Sequence, residues 1–179
     1  MNVSNRKVHK FIGLVVSVQL LLWTISGIFF SFNKIDQIRG ENYLKSDEQI
    51  TPQKISRISF EEAKEIVIEK TFLRPISVEE ITEEKRGSEF RGRNLPLYKL
   101  SSLDSSDKEV NVYIDPSLGK IVAIRTFEWR LWDLMWGLHI MDWRDRDDIN
   151  NLFLKIFSIL ALISSITGII LFFRPRSKA

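Results

Sequence analysis

Two long apolar runs constrain the fold of this chain more than any other feature of its sequence. Of the 179 residues, 11–32 contain no charge, and 152–173 contain one, Lys155, close to the start of the run. Each run has 22 residues, and at about 1.5 Å per helical residue each would reach roughly 33 Å, enough to cross a hydrocarbon core of about 30 Å. The sequence therefore predicts transmembrane helices at 11–32 and 152–173, both in contact with membrane lipid.

A cleaved signal peptide is the alternative interpretation of the first run. The apolar part of a signal peptide usually covers roughly 7–15 residues and ends at a small-x-small cleavage site. The first run is longer, and its last seven residues, 26–32, offer no such site. We therefore expect the run to be retained as a helix.

The charges that flank the two runs indicate their orientation. Residues 1–10 and 174–179 carry basic side chains and no acidic ones, and all 23 acidic residues lie between the runs. The basic residues of the two ends are Arg6, Lys7, Lys10, Arg174, Arg176 and Lys178. The positive-inside rule then predicts a cytoplasmic N-terminus, 1–10, and a cytoplasmic tail, 174–179, for a protein of a bacterial inner membrane. The central domain would be periplasmic or extracellular.

Composition excludes several classes of function. The net charge of +3 reflects the two basic ends, since 33–151 hold 19 basic and 23 acidic side chains. It therefore does not indicate nucleic-acid binding. The chain has no cysteine, which excludes disulfides, thiolate catalysis, iron–sulfur clusters and covalently attached c-type haem.

Between the runs, 33–127 are predicted to form a small α+β domain outside the membrane. Ser59 followed by Glu62 is a capping-box pattern, which predicts a helix that Arg74-Pro75 ends. Three or four strands are predicted from candidates at 76–83, 95–103, 109–114 and 120–126, of which the last two are clearer, with a bulged hairpin turn at 115–119. The predicted domain is one helix packed on an antiparallel sheet.

A tryptophan-rich stretch, 128–143, is predicted to form an interfacial helix, and 144–151 a connector to the second run. Its aromatic side chains at 3-4-3-4 spacing are Trp129, Trp132, Trp136, His139 and Trp143. At about 100° per residue they lie on one stripe of a helix, and tryptophans at this depth are typical of a membrane aromatic belt. The aspartates between 133 and 148 are interpreted as a solvated acidic edge, with a metal site outside the membrane as the alternative.

Three short segments follow one another in an order that is much more specific than any of them alone. They are 6–14 continuing to Gly27, the hairpin 112–121, and 136–139 followed by a run that ends in Thr167-Gly168. Together they resemble the PepSY-associated transmembrane family, and the resemblance covers most of the chain. It implies a PepSY domain between transmembrane helices. Larger members have four or more spans, and some resemble ferric-siderophore or other reductases that hold haem between helices.

The only two histidines, His9 and His139, are the candidate ligands of a haem iron, and the resemblance implies that they match the family's histidine positions. Neutral imidazole is the usual protein ligand of haem iron, and ionisable residues at membrane spans are functional candidates. The two histidines would lie at opposite membrane edges, so one chain cannot bring both to one iron. A two-fold dimer would pair each histidine with its own copy, at an inner and an outer haem b.

Five further residues are candidates for cofactor binding. Gly13 and Gly27 share nearly the same helical face as His9, where a macrocycle or another helix could approach; helix packing is the simpler interpretation of both. Arg6 and Arg174 could pair with inner propionates, although basic ends also set topology. Trp136 is a membrane anchor first and a cofactor neighbour second.

The leading hypothesis is a homodimeric, b-type haem-binding electron-transfer protein, a ferric-reductase-like oxidoreductase whose acceptor is ferric iron or a ferric chelate. The first alternative is a non-enzymatic, membrane-anchored PepSY module that binds or regulates an envelope protein. The second is an accessory subunit of a larger membrane complex. The sequence leaves open whether the chain is an enzyme.

Overall fold

The computed structural model describes residues 3–45 and 57–173. The helices are α1 (Val3–Phe32), α2 (Ile35–Ile38), α3 (Phe60–Lys70), α4 (Phe127–His139) and α5 (Leu152–Phe173), with a 3₁₀ turn at Glu41–Tyr43. The strands are β1 (Arg74–Ile81), β2 (Leu97–Leu103), β3 (Glu109–Asp115) and β4 (Lys120–Arg125). The chain forms two compact units. Met1–Phe29 and Met135–Ala179 make a helical unit, and Phe30–Leu134 makes a sheet unit.

Helices α1 and α5 of the helical unit are antiparallel, because contacts pair the start of α1 with the end of α5. His9 bonds to Thr167, and one turn further along α1 Gly13 faces Ser164. The segments Lys7–Phe32 and Leu152–Ile170 are long and apolar enough to cross a membrane. Large apolar side chains on both helices, such as that of Phe11, are exposed. Surfaces of this kind are stable in lipid.

Helix α3 covers one face of the sheet. The Ser59 hydroxyl accepts the N–H of Glu62 at 3.2 Å, and the Glu62 carboxylate accepts the N–H of Ser59 at 2.6 Å, so the predicted capping box is confirmed. Ala63 and Val67 are fully buried in a core that includes Val112 of β3. A fully buried valine contributes about 2 kcal/mol to stability, and this contact fixes the helix on the sheet.

The four strands pair in sequence order, β1-β2-β3-β4, all antiparallel. Between β3 and β4 the Asp115 carboxylate accepts the N–H groups of Ser117 and Leu118, and Gly119 adopts the left-handed φ of 58° that closes the turn. The register of this pair shifts by one residue after the turn, so the predicted bulged hairpin is confirmed. The predicted fold class, a membrane α+β protein with two spans and one helix on an antiparallel sheet, is confirmed as well.

The other face of the sheet carries a polar cluster centred on Glu89. Its carboxylate accepts bonds from Arg130 Nε at 2.5 Å, Asn111 Nδ2 at 2.8 Å and the Tyr113 hydroxyl at 3.0 Å. Burial alone would raise the pKa of Glu89, but the bonds from Arg130, Asn111 and Tyr113 outweigh it and lower the pKa. The cluster ties the loop before β2 to β3 and to the first turn of α4.

Trp129 belongs to the interior of the sheet unit. Its side chain is 9% exposed, and its ring lies 4.2 Å from the Arg125 guanidinium and 5.7 Å from that of Arg91. The prediction that this tryptophan anchors the chain in the membrane surface is therefore wrong. Two guanidiniums use its faces for cation–π contacts instead. Asp133 is likewise 1% exposed and paired with Arg91, so it is not part of a solvated acidic edge.

Helix α4 ends at His139, four residues earlier than the tryptophan spacing predicts. Met141 adopts a left-handed φ of 57°, and its N–H bonds to the Leu138 carbonyl. The N–H of Asp142 reaches back to the Gly137 carbonyl at 3.0 Å. This pair of bonds is a Schellman ending, and it places Trp143 beyond the helix. Trp143 is therefore not part of the predicted stripe, because a left-handed residue cannot continue a right-handed helix.

Candidate functional site

His9 lies on α1 and is held by α5. Its Nδ1 is 2.8 Å from Thr167 Oγ1. The Thr167 hydroxyl donates its own proton to carbonyls of its helix, Ile163 O at 2.7 Å and Ser164 O at 3.1 Å. The direction of the bond between Nδ1 and Oγ1 depends on the tautomer of the imidazole, because the hydroxyl can either accept from Nδ1 or donate to it. When the hydroxyl proton stays on a carbonyl of its own helix, Nδ1 donates and the lone pair of the imidazole lies on Nε2.

His139 closes α4 and is held by α1 in the same way. Its Nδ1 is 2.8 Å from Ser26 Oγ, and the Ser26 hydroxyl donates to Leu22 O at 2.8 Å. Trp23 Nε1 donates to the backbone carbonyl of His139 at 2.7 Å, and the Trp136 ring stacks beside the imidazole at 6.3 Å between centroids. Burial lowers the pKa of His139, which favours the neutral imidazole at pH 7.

The two histidines thus share one arrangement at the two ends of α1. Each Nδ1 is hydrogen-bonded to a helix hydroxyl that can also donate to a carbonyl of its own helix, and in the tautomer with Nδ1 protonated the lone pair lies on Nε2. His9 and Ser26 are 17 residues apart on α1, which is about 25 Å along a helix. Two ligands of one metal ion cannot be that far apart, so within one chain these are two separate sites.

The structure distinguishes the two glycines that were predicted beside the histidines. A Cβ at Gly13 would meet Ser164 Oγ at 3.8 Å, whereas a Cβ at Gly27 would meet nothing within 4 Å. Gly13 is therefore part of the contact between α1 and α5, and Gly27 lies beside open space. The side chain of Arg6 and the whole of Arg174 fall outside the described part of the chain, where the prediction of propionate contacts remains untested.

Sequence reasoning did not select three polar residues of the helical unit. Ser26 and Thr167 hold the histidines, and Gln19 is 5% exposed in the middle of α1, with no hydrogen-bond partner for its Nε2 within the described residues. An unsatisfied amide is costly in an apolar environment. The signal that could have found all three is the presence of an uncharged polar side chain inside an otherwise apolar run.

Residues 6–179 match the family described as the PepSY-associated TM region. The chain belongs to this family. No curated protein and no solved structure matched it. Membership agrees with the two apolar helices that precede and follow the sheet region in the sequence, and it makes this a membrane protein.

In this PepSY-associated protein, Asp142 has a structural role in the loop that follows α4. The Asp142 carboxylate accepts four backbone N–H groups, those of Arg144, Asp145, Asp147 and Asp148, at 3.0–3.3 Å. Across 3–45 and 57–173, no three His, Asp or Glu side chains are grouped as a metal site. The alternative of a metal ion held by these aspartates therefore has no support in that part of the chain.

Asp142 closes the loop that follows His139, and we expect this loop to weaken in acid. Burial alone would raise the pKa of Asp142, but the backbone N–H groups outweigh it and lower the pKa to about 2. A lowered pKa contributes stability that is complete above the ordinary value of 3.8 and is lost as the pH falls towards 2. Asp142→Ala should cost about 2 kcal/mol at pH 7, and progressively less below pH 3.8.

Thermal unfolding of the detergent-solubilised protein at pH 7 and at low pH would measure this effect. Asp147→Asn is the matched control, because it removes one charge from an exposed side chain of the same loop. Equal losses of thermal stability in Asp142→Ala and Asp147→Asn would contradict the assigned role of Asp142.

Proposed function

We propose that this protein is a transmembrane electron carrier that binds b-type haem as a homodimer. The observation that carries the proposal is the arrangement common to His9 and His139. In haem and other metal sites, a ligating histidine is oriented by a hydrogen bond from one ring nitrogen, and the other nitrogen binds the metal. Both histidines have a hydrogen bond at Nδ1, to Thr167 and to Ser26, and in the tautomer with Nδ1 protonated Nε2 would be the nitrogen that binds iron.

A second copy of the chain would complete each site. One chain offers one imidazole at each end of α1, whereas a haem with two histidine ligands needs two imidazoles at one iron. In an isologous dimer, identical residues face each other near the two-fold axis. His9 of both chains would hold one haem, and His139 of both chains would hold the other.

The residues around His9 and His139 have the chemical character that a haem group needs. The surroundings of both histidines are helices with apolar side chains, Gly27 leaves open space beside α1, and Trp136 already stacks on an imidazole. When bound, haem supplies one-electron chemistry, while the protein supplies ligands, burial and spacing.

Ferric iron or a ferric chelate outside the membrane is the proposed electron acceptor. The proposed location is the bacterial inner membrane with both termini cytoplasmic, on the basis of the basic ends.

A non-enzymatic membrane anchor is the second candidate, and the same hydrogen bonds favour it. Histidine, serine and threonine side chains often bond between helices in membranes and hold them together. In this alternative, His9 and His139 only fix α1 against α5 and α4. The sheet unit would then bind or regulate another envelope protein, or dock the chain as an accessory subunit of a larger complex.

The optical spectrum of the purified protein tests the proposal. The full chain is purified in detergent, and spectra are recorded as isolated, after addition of haem, and after dithionite. We expect a Soret band with sharp α and β bands on reduction, a haem-to-chain ratio near one, and a dimer by light scattering. A spectrum without haem bands, even after haem is added, would contradict electron transfer and leave the anchored module as the function.

A further inference from the structure

Arg125, at the end of β4, is a buried cation without a carboxylate partner. It is 9% exposed, and its guanidinium donates only to two carbonyls, from Nε to Glu89 O at 2.9 Å and from Nη1 to Ile124 O at 3.1 Å. No carboxylate in the described parts of the chain forms a salt bridge with it. The nearby Glu89 carboxylate is already bonded to Arg130, Asn111 and Tyr113. Buried charges in proteins are normally paired.

Arg125 lines a cavity of about 410 Å³ together with two more arginines, Arg39 and Arg93. Both are exposed, and neither side chain has a hydrogen bond or ion pair with another described residue. The one carboxylate in the lining is Glu41, so the lining carries a net charge of +2, from three arginines and one glutamate. Burial, and then the nearby Arg93, lower the pKa of Arg125 to about 10, and the Glu89 carboxylate offsets part of this effect.

We propose that this cavity binds a phosphate group. Guanidiniums recognise phosphate through paired N–H donors, and a net charge of +2 matches an anion of one to two negative charges. The volume lies within the range of roughly 300–1,000 Å³ that is usual for small-ligand pockets. The phosphate could be a free ion or the headgroup of a phospholipid. Arg39 follows the last residue of α1, Phe32, by seven residues.

Binding of inorganic phosphate and of a soluble phospholipid by the full chain tests this proposal. Isothermal titration in an uncharged detergent and a phosphate-free buffer uses inorganic phosphate in one arm. The second arm uses dihexanoyl phosphatidylglycerol, with dihexanoyl phosphatidylcholine for comparison. We expect one saturable site per chain. Binding in the first arm indicates a free ion, and binding of phosphatidylglycerol alone indicates a lipid headgroup.

The double variant Arg39→Gln/Arg93→Gln should weaken binding at least tenfold. Both side chains are exposed and make no bonds within the described chain, so the fold is expected to persist, which circular dichroism would check. Arg74→Gln is the matched control, because it removes an exposed arginine from β1, at the opposite edge of the sheet. Failure of both probes to bind, or equal binding by the double variant and the wild type, would overturn the proposal.

Discussion

His139→Gln should lower the haem-to-chain ratio from one to one half. Glutamine can still bond to Ser26, so the contact between α4 and α1 is kept, but it does not provide the imidazole nitrogen that binds iron. Because His9 lies about 25 Å along α1 from Ser26, the haem at the other end of the dimer should remain. Reduced-minus-oxidised spectra and a haem assay against protein concentration would measure the loss.

The same design distinguishes a ligand from a residue that only joins helices. His9→Gln should remove the haem held by His9, and the haem held by His139 should remain fully bound. Ser26→Ala and Thr167→Val remove the hydrogen bond and keep the imidazole, so they should retain haem with affinity lowered about 10–100-fold. If both glutamine variants bind as much haem as the wild type, the histidines are not ligands, and their hydrogen bonds serve helix packing alone.

Much of the fold is visible in the sequence, because its determinants are local. The two apolar runs, the Ser59–Glu62 capping box and the turn at 115–119 are each set by residues within one short window, and the structure contains all of them. The end of α4 is different. It depends on Met141 accepting a left-handed conformation and on the Asp142 carboxylate collecting N–H groups from the following loop, and tryptophan spacing contains no information about either.

The position of the candidate site could be predicted from the sequence, but the partners of its histidines could not. Two histidines near two apolar runs indicate where to look, whereas the roles of Thr167 and Ser26 require knowing which helices touch and in which register. The same holds for Trp129. Its spacing matches that of the other tryptophans, yet the loop that carries Arg91 covers it, and contacts between residues far apart in sequence cannot be read from periodicity.

Glu89→Ala should destabilise the sheet unit by about 3 kcal/mol, since a partly buried carboxylate that accepts three bonds leaves its partners unsatisfied when it is removed. Arg130, Asn111 and Tyr113 would all lose their acceptor. In a unit of this size a loss of 1 kcal/mol lowers Tm by about 4–8 °C. Thermal unfolding followed by circular dichroism would therefore show a fall of about 12–24 °C.

Acid should remove the same stabilisation without a mutation. The pKa of Glu89 in the folded protein is lowered, so its contribution is complete above the ordinary glutamate value of 4.5 and is lost as the pH falls through the lowered value. The difference in stability between the wild type and Glu89→Ala should therefore close at low pH.

Glu79→Ala is the matched control, because Glu79 pairs with Lys99 on the surface with its side chain 62% exposed. Such exposed pairs contribute about 0–1 kcal/mol. A large loss in Glu79→Ala, or a gap for Glu89→Ala that persists in acid, would show that the cluster does not act through the Glu89 charge.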